Sequence, residues 1–338
     1  AERLARHVYL VHMANADNAL LERDFQRAQI ELDACPEEQR GWEWSFLEDR
    51  LKQTIPLELP GCEMPIFTRD GKHIIAIGTA STPNENKALL WDASSGELLR
   101  EFQAETRLIS LALSPDERRL AGGALDGTLT LWDVETTNKV WEVREHTGRY
   151  DGMAYSPDGR FIATANWDQT LKIFEASDGT VKHVSEFEDD VRRVQFSPDG
   201  RWIVAGFQPG GTRPVLVNVV TGALKWFPHE GMRAPVFSHD GQWIATGGQE
   251  GMVTLWKWDG ENLHEDRSCR AADCRINSLD FTPDGSRLAT AFDRMVKVWD
   301  IATASEIASF NAESVVYWLT THPSENCVAL FSALKGIR

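Results

Sequence analysis

A short turn recurs along this chain, and its spacing constrains the fold more than any other feature. It reads Thr68-Arg69-Asp70-Gly71, Ser114-Pro115-Asp116-Glu117, Ser156-Pro157-Asp158-Gly159, Ser197-Pro198-Asp199-Gly200, Ser238-His239-Asp240-Gly241 and Thr282-Pro283-Asp284-Gly285. A degraded further copy is His322-Pro323-Ser324-Glu325. The first residues of successive copies stand 46, 42, 41, 41, 44 and 40 residues apart. Proline presets φ in such a turn, and Asp-Gly accepts the left-handed conformation. After the third copy the chain alternates as a strand does, with Phe161, Ala163 and Ala165 on one face and Ile162, Thr164 and Asn166 on the other. A second turn, Trp167 to Thr170, leads to another short strand, Leu171 to Phe174. One such hairpin pair cannot bury its own faces, so the repetition has to supply the core.

A period of 40 to 45 residues with four strands per unit predicts a β-propeller rather than a helical solenoid. Most copies end their third strand on a large residue followed by an acid: Trp91-Asp92, Trp132-Asp133, Phe174-Glu175 and Trp299-Asp300, with Trp256-Lys257 and Val217-Asn218 as departures. This pattern resembles WD40 repeats over about 285 residues, from Thr54 to Arg338. The resemblance implies an all-β fold, a seven-bladed WD40 propeller spanning 54–338. Residues 54–59 (TIPLEL) precede the first inner strand and are expected to add to the last blade and close the ring, which removes exposed edges. The third strand of that blade looks cut short, so further residues are expected after Arg338.

Residues 1–53 differ from the rest. Leu20, Leu21, Phe25, Ala28 and Leu32 recur at helical spacing. Helices are predicted from Ala5 to Arg23, from Phe25 to Ala34, and from Gly41 to about Lys52. The appendage looks tetratricopeptide-like, and a single pair of that kind cannot bury a core alone. It is expected to pack through Trp42, Trp44, Phe46 and Leu47. The Arg40-Gly41-Trp42-Glu43-Trp44 run before a WD-type propeller resembles the C-terminal repeat region of large bacterial, membrane-anchored serine/threonine protein kinases. That likeness implies a signalling scaffold. The sequence does not assign a compartment: a cytoplasmic place and, with an upstream membrane span as anchor, an extracytoplasmic one both fit that likeness. The chain itself has neither a Gly-rich phosphate loop nor a His-Arg-Asp loop.

The net charge of −16 argues against a nucleic-acid partner and against a polybasic membrane-surface role. No apolar run is long enough to span a membrane. There is no His-Glu-x-x-His pair, Walker loop or Gly-x-Ser-x-Gly elbow, so no catalytic residue, cofactor or metal site is expected. The Asp-Gly turns lack the Asp-x-Asp-x-Asp spacing of a calcium loop. Cys269 and Cys274 fall in one predicted loop and could pair only in an oxidising compartment.

By resemblance to WD repeats, His146, Thr164 and Asp168 match three of the four positions of the family's structural hydrogen-bond tetrad, with Phe174 replacing the usual Trp. His229, Thr246, Glu250 and Trp256 fit the same tetrad loosely in the fifth copy. A Ser/His/Asp-like set invites a triad reading. Recurrence of these positions by register favours a structural role.

One pattern goes beyond the repeat. Arg107, Arg149 and Arg275 lie seven positions before their turn residue, and Arg192 and Arg233 lie five before theirs. All five are expected near the start of an inner strand, around the mouth of a central channel. Trp167 and Phe292, just before turn acids, are expected as exposed aromatic anchors on the same face. Guanidinium forks there would hold an acidic segment of a protein or peptide, or another anion. The competing reading pairs each arginine with a neighbouring acid such as Glu145, Asp151, Asp189 or Asp190. The leading function is a non-catalytic interaction or sensor scaffold. The alternatives are a structural subunit of a larger assembly and a hydrolase using the propeller mouth.

Overall fold

The computed structural model describes the chain apart from residues 1, 22–24, 37, 39, 41–43, 45, 46, 48–58, 60, 61, 79–85, 209–212, 231, 313, 314, 322–327, 333–335 and 338. The chain divides into two compact units, residues 1–57 and 58–338.

The first unit contains two helices among the described residues, Glu2–Leu21 and Phe25–Asp33. Tyr9, Met13, Ala16 and Ala19 of the first helix meet Ala28 and Leu32 of the second, and Cys35, Leu47 and Trp44 complete this small core. The Trp44 indole N–H donates to the Leu32 carbonyl at 2.9 Å, and the Arg40 guanidinium lies 4.5 Å from the Trp44 ring centre. The third predicted helix lies largely outside the described residues, as do Trp42 and Phe46. No described helix is long and apolar enough to cross a membrane.

The second unit is a propeller. Six four-stranded sheets follow one another as blades at residues 62–103, 108–144, 150–186, 191–226, 232–270 and 278–311. Within each blade the strands are antiparallel and pair in chain order. The repeat count predicts seven blades. Among the described residues the structure corrects this to six complete blades, because the last sheet has three described strands, Val316–Thr321, Val328–Ser332 and Gly336–Ile337. Its sequence lacks the Ser/Thr-x-Asp turn shared by the other six, and its third described strand is two residues long. The predicted closing strand lies outside the described residues except for Leu59, which is buried. Each inner strand packs against the inner strand of the next sheet, and Val316–Thr321 packs against Cys62–Phe67 to complete the circle.

Burial runs outward in steps. The second strands Phe161–Asn166 and Trp202–Phe207 are buried along their whole length, whereas the outer strand Leu98–Gln103 is almost entirely exposed. Apolar side chains of adjacent blades interlock, as Phe161, Ala163, Leu171 and Ile173 do with Ile203, Ala205 and Val217. Each large apolar side chain removed from water contributes about 1.5–3 kcal/mol. That burial holds blade to blade, since among the described residues no backbone ladder crosses between sheets.

The recurring turn has one chemical design. The hydroxyl of Ser156 donates to Asp158 Oδ1 at 2.6 Å and accepts from the Phe161 N–H at 2.9 Å. Ser114, Ser197, Ser238, Thr68 and Thr282 repeat the bond to the acid two residues on. The fourth turn position is left-handed, at φ 73° for Gly159. In the second blade Glu117 takes the same place at φ 60°, at a cost of about 1–2 kcal/mol relative to glycine.

Candidate functional site

Inner strands carry an inserted residue near their start. In the third blade Tyr150 pairs with Asn166 and Gly152 with Ala165, which leaves Asp151 between them as the extra residue. Arg192 in the fourth blade, Ile109 in the second and Tyr317 in the three-stranded sheet occupy the same place. In the first and fifth blades the bulge contains Met64-Pro65 and Ala234-Pro235. Proline has no N–H for the ladder and is tolerated at such bulges. Met64 and Ala234 take left-handed backbone there, at φ 56° and 45°. A bulge bends its strand and re-aims a side chain. Met64, Asp151, Arg192, Ala234 and Tyr317 all line one cavity of about 270 Å³. Its walls come from five blades and the three-stranded sheet, so it is the mouth of the central channel.

The cavity is strongly cationic for a chain of net charge −16. Arg149, Arg192, Arg193 and Arg275 line it, against one carboxylate, Asp151. Arg192 Nη1 donates to Asp151 Oδ2 at 2.9 Å, and Arg149 Nη2 lies 3.3 Å from Asp151 Oδ1. Both guanidiniums also stack on Trp167, each 4.2 Å from its ring centre. Arg193 lies 3.8 Å from the centre of the Trp318 ring. Arg275 is exposed, bonds through Nε to Asn277 Oδ1 at 3.0 Å, and forms no ion pair with a described residue. The Nε–H groups of Arg149 and Arg192 are buried without a hydrogen-bond partner among the described residues.

The structure brings together three of the predicted arginines, Arg149, Arg192 and Arg275, and sets Trp167, which is 37% exposed, against two of them. Arg107 is elsewhere engaged, since its Nη2 pairs with Glu63 Oε1 at 2.9 Å. The backbone of Arg233 pairs with Gly247, one residue before the fifth-blade bulge, and its side chain is outside the described residues. Phe292 is a correction: it is 6% exposed and packs between the fifth and sixth blades with Leu288 and Trp299. It is still the last residue of its second strand, Arg287–Phe292, and pairs with Met295 across a two-residue turn. Trp167 stands one residue past the end of its strand, in a longer turn. Sequence reasoning missed Arg193, Trp318, Tyr317 and the bulges. Pro65 and Pro235, each inside an inner strand, were the available signal.

The third-blade tetrad positions meet as three. His146 Nδ1 lies 2.8 Å from Asp168 Oδ2, and Nε2 lies 2.8 Å from Thr164 Oγ. Burial pushes the imidazole down to about 4, against the opposing pull of Asp168, so His146 is neutral at pH 7. The neutral tautomer that satisfies both contacts has Nδ1–H donating to Asp168 and the Thr164 hydroxyl donating to Nε2. Asp168 keeps a low value although burial alone would raise it, because the Thr170 hydroxyl, His146 and the Thr147 N–H all bond to it. Phe174 contributes only a ring contact to His146, at 6.1 Å between centres. In the fifth blade the Trp256 indole N–H donates to Thr246 Oγ at 2.9 Å. His229 is a correction there, because its Nε2 lies 2.9 Å from Glu265 Oε2 and it is largely exposed. The sixth blade repeats the indole bond, from Trp299 to Thr290 at 3.0 Å. Cys269 and Cys274 are both free thiols.

The WD-domain G-beta repeat family matches residues 96–133, 225–257 and 265–300, and the anaphase-promoting complex subunit 4 WD40 domain matches 136–197. This propeller is built of WD40 repeats. A WD repeat-containing protein of Schistosoma mansoni, SL1-17, is 29% identical over 168 residues, covering 49% of this chain and 54% of that protein. Protein HIR1 of Cryptococcus neoformans is 32% identical over 142 residues, covering 38% of this chain and 16% of its own length. The chain thus spans about half or less of these curated relatives. The β-propeller domain of Myceliophteria thermophila Cps50 (Swd1) superposes with a TM-score of 0.72 at 14% identity, covering 83% of this chain and 96% of that one. These WD40 relatives are eukaryotic, and the likeness to the repeat region of bacterial kinases finds no support among them.

Proposed function

We propose that this WD40 propeller is a non-catalytic interaction scaffold whose mouth holds an acidic segment of a partner protein. The carrying observation is the mouth cavity, lined by four arginines and one carboxylate. Guanidiniums recognise carboxylates through paired N–H donors, and Asp151 takes one Nη–H from each of two of them, leaving further donors on both forks. Stacking on Trp167 holds the forks in place before a ligand arrives, which lowers the ordering cost of binding. Relatives are named as parts of assemblies, as with Cell division cycle 20.6 of Arabidopsis thaliana, a cofactor of the APC complex. The hydrolase alternative is disfavoured because His146 is fully committed to Asp168 and Thr164, and that threonine position serves an indole in the fifth and sixth blades.

The test is fluorescence anisotropy of a labelled glutamate-rich peptide with the wild type and with an Arg149→Glu/Arg275→Glu variant, two arginines that line the cavity. Binding should fall at least about tenfold, as expected for loss of charge-paired contacts. Unchanged binding would sink the proposal.

A further inference from the structure

The mouth is not uniformly charged. Arg149 and Arg192 come from the third and fourth blades and Arg275 from the entry to the sixth, with Phe207 and Ala234 between Arg192 and Arg275, whereas Met64, Tyr317 and Trp318 form an apolar part contributed by the first blade and the three-stranded sheet. At about 270 Å³ the cavity falls just below the ~300 Å³ at which small-molecule pockets begin, so it suits a few inserted side chains rather than a nucleotide or cofactor. The apolar part is placed by the fold's irregularities. Met64 sits at a bulge in left-handed backbone that a side chain disfavours, and Tyr317 is a bulge residue 44% exposed at the mouth. Arg193, stacked on Trp318, joins the two parts.

Building on the acidic-segment reading above, we infer that the mouth recognises an acidic residue directly next to an aromatic one, not negative charge alone. The carboxylate meets the guanidiniums. The ring meets Met64, Tyr317 and Trp318, where thioether and aromatic edges are favourable neighbours for it. Because Arg193 and Trp318 are in contact, the two ligand groups have to lie on adjacent residues.

The probes are three acetylated, amidated peptides of equal length and charge. The first has glutamates spaced by glycine, the second has one phenylalanine beside a glutamate, and the third has the phenylalanine four residues away from the nearest glutamate. Isothermal titration should show the second binding about tenfold tighter than the first, with the third close to the first. Tyr317→Ser, a substitution at an exposed position, should erase the gain of the second peptide over the first. Equal binding of the first two peptides, or a gain that survives Tyr317→Ser, would overturn the inference while leaving the acidic-segment reading intact. No binding of any peptide by the wild type would overturn both.

Discussion

Asp151 of the third blade accepts a hydrogen bond from Arg192 of the fourth, with Oδ2 and Nη1 2.9 Å apart. The same carboxylate serves Arg149. One negative charge therefore stands between two positive ones, inside a channel mouth assembled from different blades. It is both a brace for the arginines and a competitor for anything that would bind them.

Replacing that carboxylate separates the two roles. Asp151→Asn keeps a side chain that can bond to one fork but removes the charge. The acidic peptide should then bind several-fold tighter, with a steeper salt dependence. Stability should change by about 1 kcal/mol or less, as for a partly exposed ion pair. Titration at low and high salt measures this, and weaker binding would show that Asp151 organises the site rather than competes for it.

Trp167→Ala should act on binding more than on folding. The ring is part-exposed, and each guanidinium contact is worth about 0.5–1 kcal/mol. Losing both should weaken acidic-peptide binding by about fivefold or more. The urea midpoint should move little, because no buried apolar core is opened. A large loss of stability with unchanged affinity would make Trp167 architecture.

The indole bonds of the fifth and sixth blades predict the opposite balance. Thr246→Val and Thr290→Val each leave a buried Trp N–H without an acceptor. Each should cost about 1–3 kcal/mol. Peptide affinity should be unchanged. Chemical unfolding followed by tryptophan fluorescence gives both numbers.

His146 makes stability depend on pH in a defined direction. Its folded value is depressed to about 4 from 6.5. The unfolded chain therefore binds the proton first. The stabilising contribution is complete above pH 6.5, is lost as pH falls through the window, and is gone below about 4. The total is roughly 3 kcal/mol at 1.36 kcal/mol per unit. His146→Gln should flatten the unfolding free energy between pH 6.5 and 4, and an unchanged slope would refute the assignment.

The repeat, the turn chemistry and the third-blade constellation were legible because each depends on residues within one period. Ser156, Asp158, His146, Thr164 and Asp168 meet through local register. His229 was misread because its partner, Glu265, comes from the outer strand 36 residues on. Phe292 was misread because a shorter turn keeps it inside the strand, and alternation then points it into the core. The mouth was half legible. Arginine spacing marked Arg149, Arg192 and Arg275, but an inserted residue leaves little trace in an alternating pattern, so Tyr317 and Arg193 went unmarked. The incomplete last sheet was hidden for a related reason: a degraded turn still scores as a repeat, although the outer strand that would complete a blade is not found among the described residues.

The bulge has a consequence for how such a surface changes over time. Ile109, Asp151, Arg192 and Tyr317 are four unlike side chains at one geometric address. Each lies between two ladder positions whose pairing is kept on either side, so exchanging it leaves strand register and interblade core as they were. The channel mouth can therefore be rewritten one letter at a time, with the scaffold insulated from the text it carries.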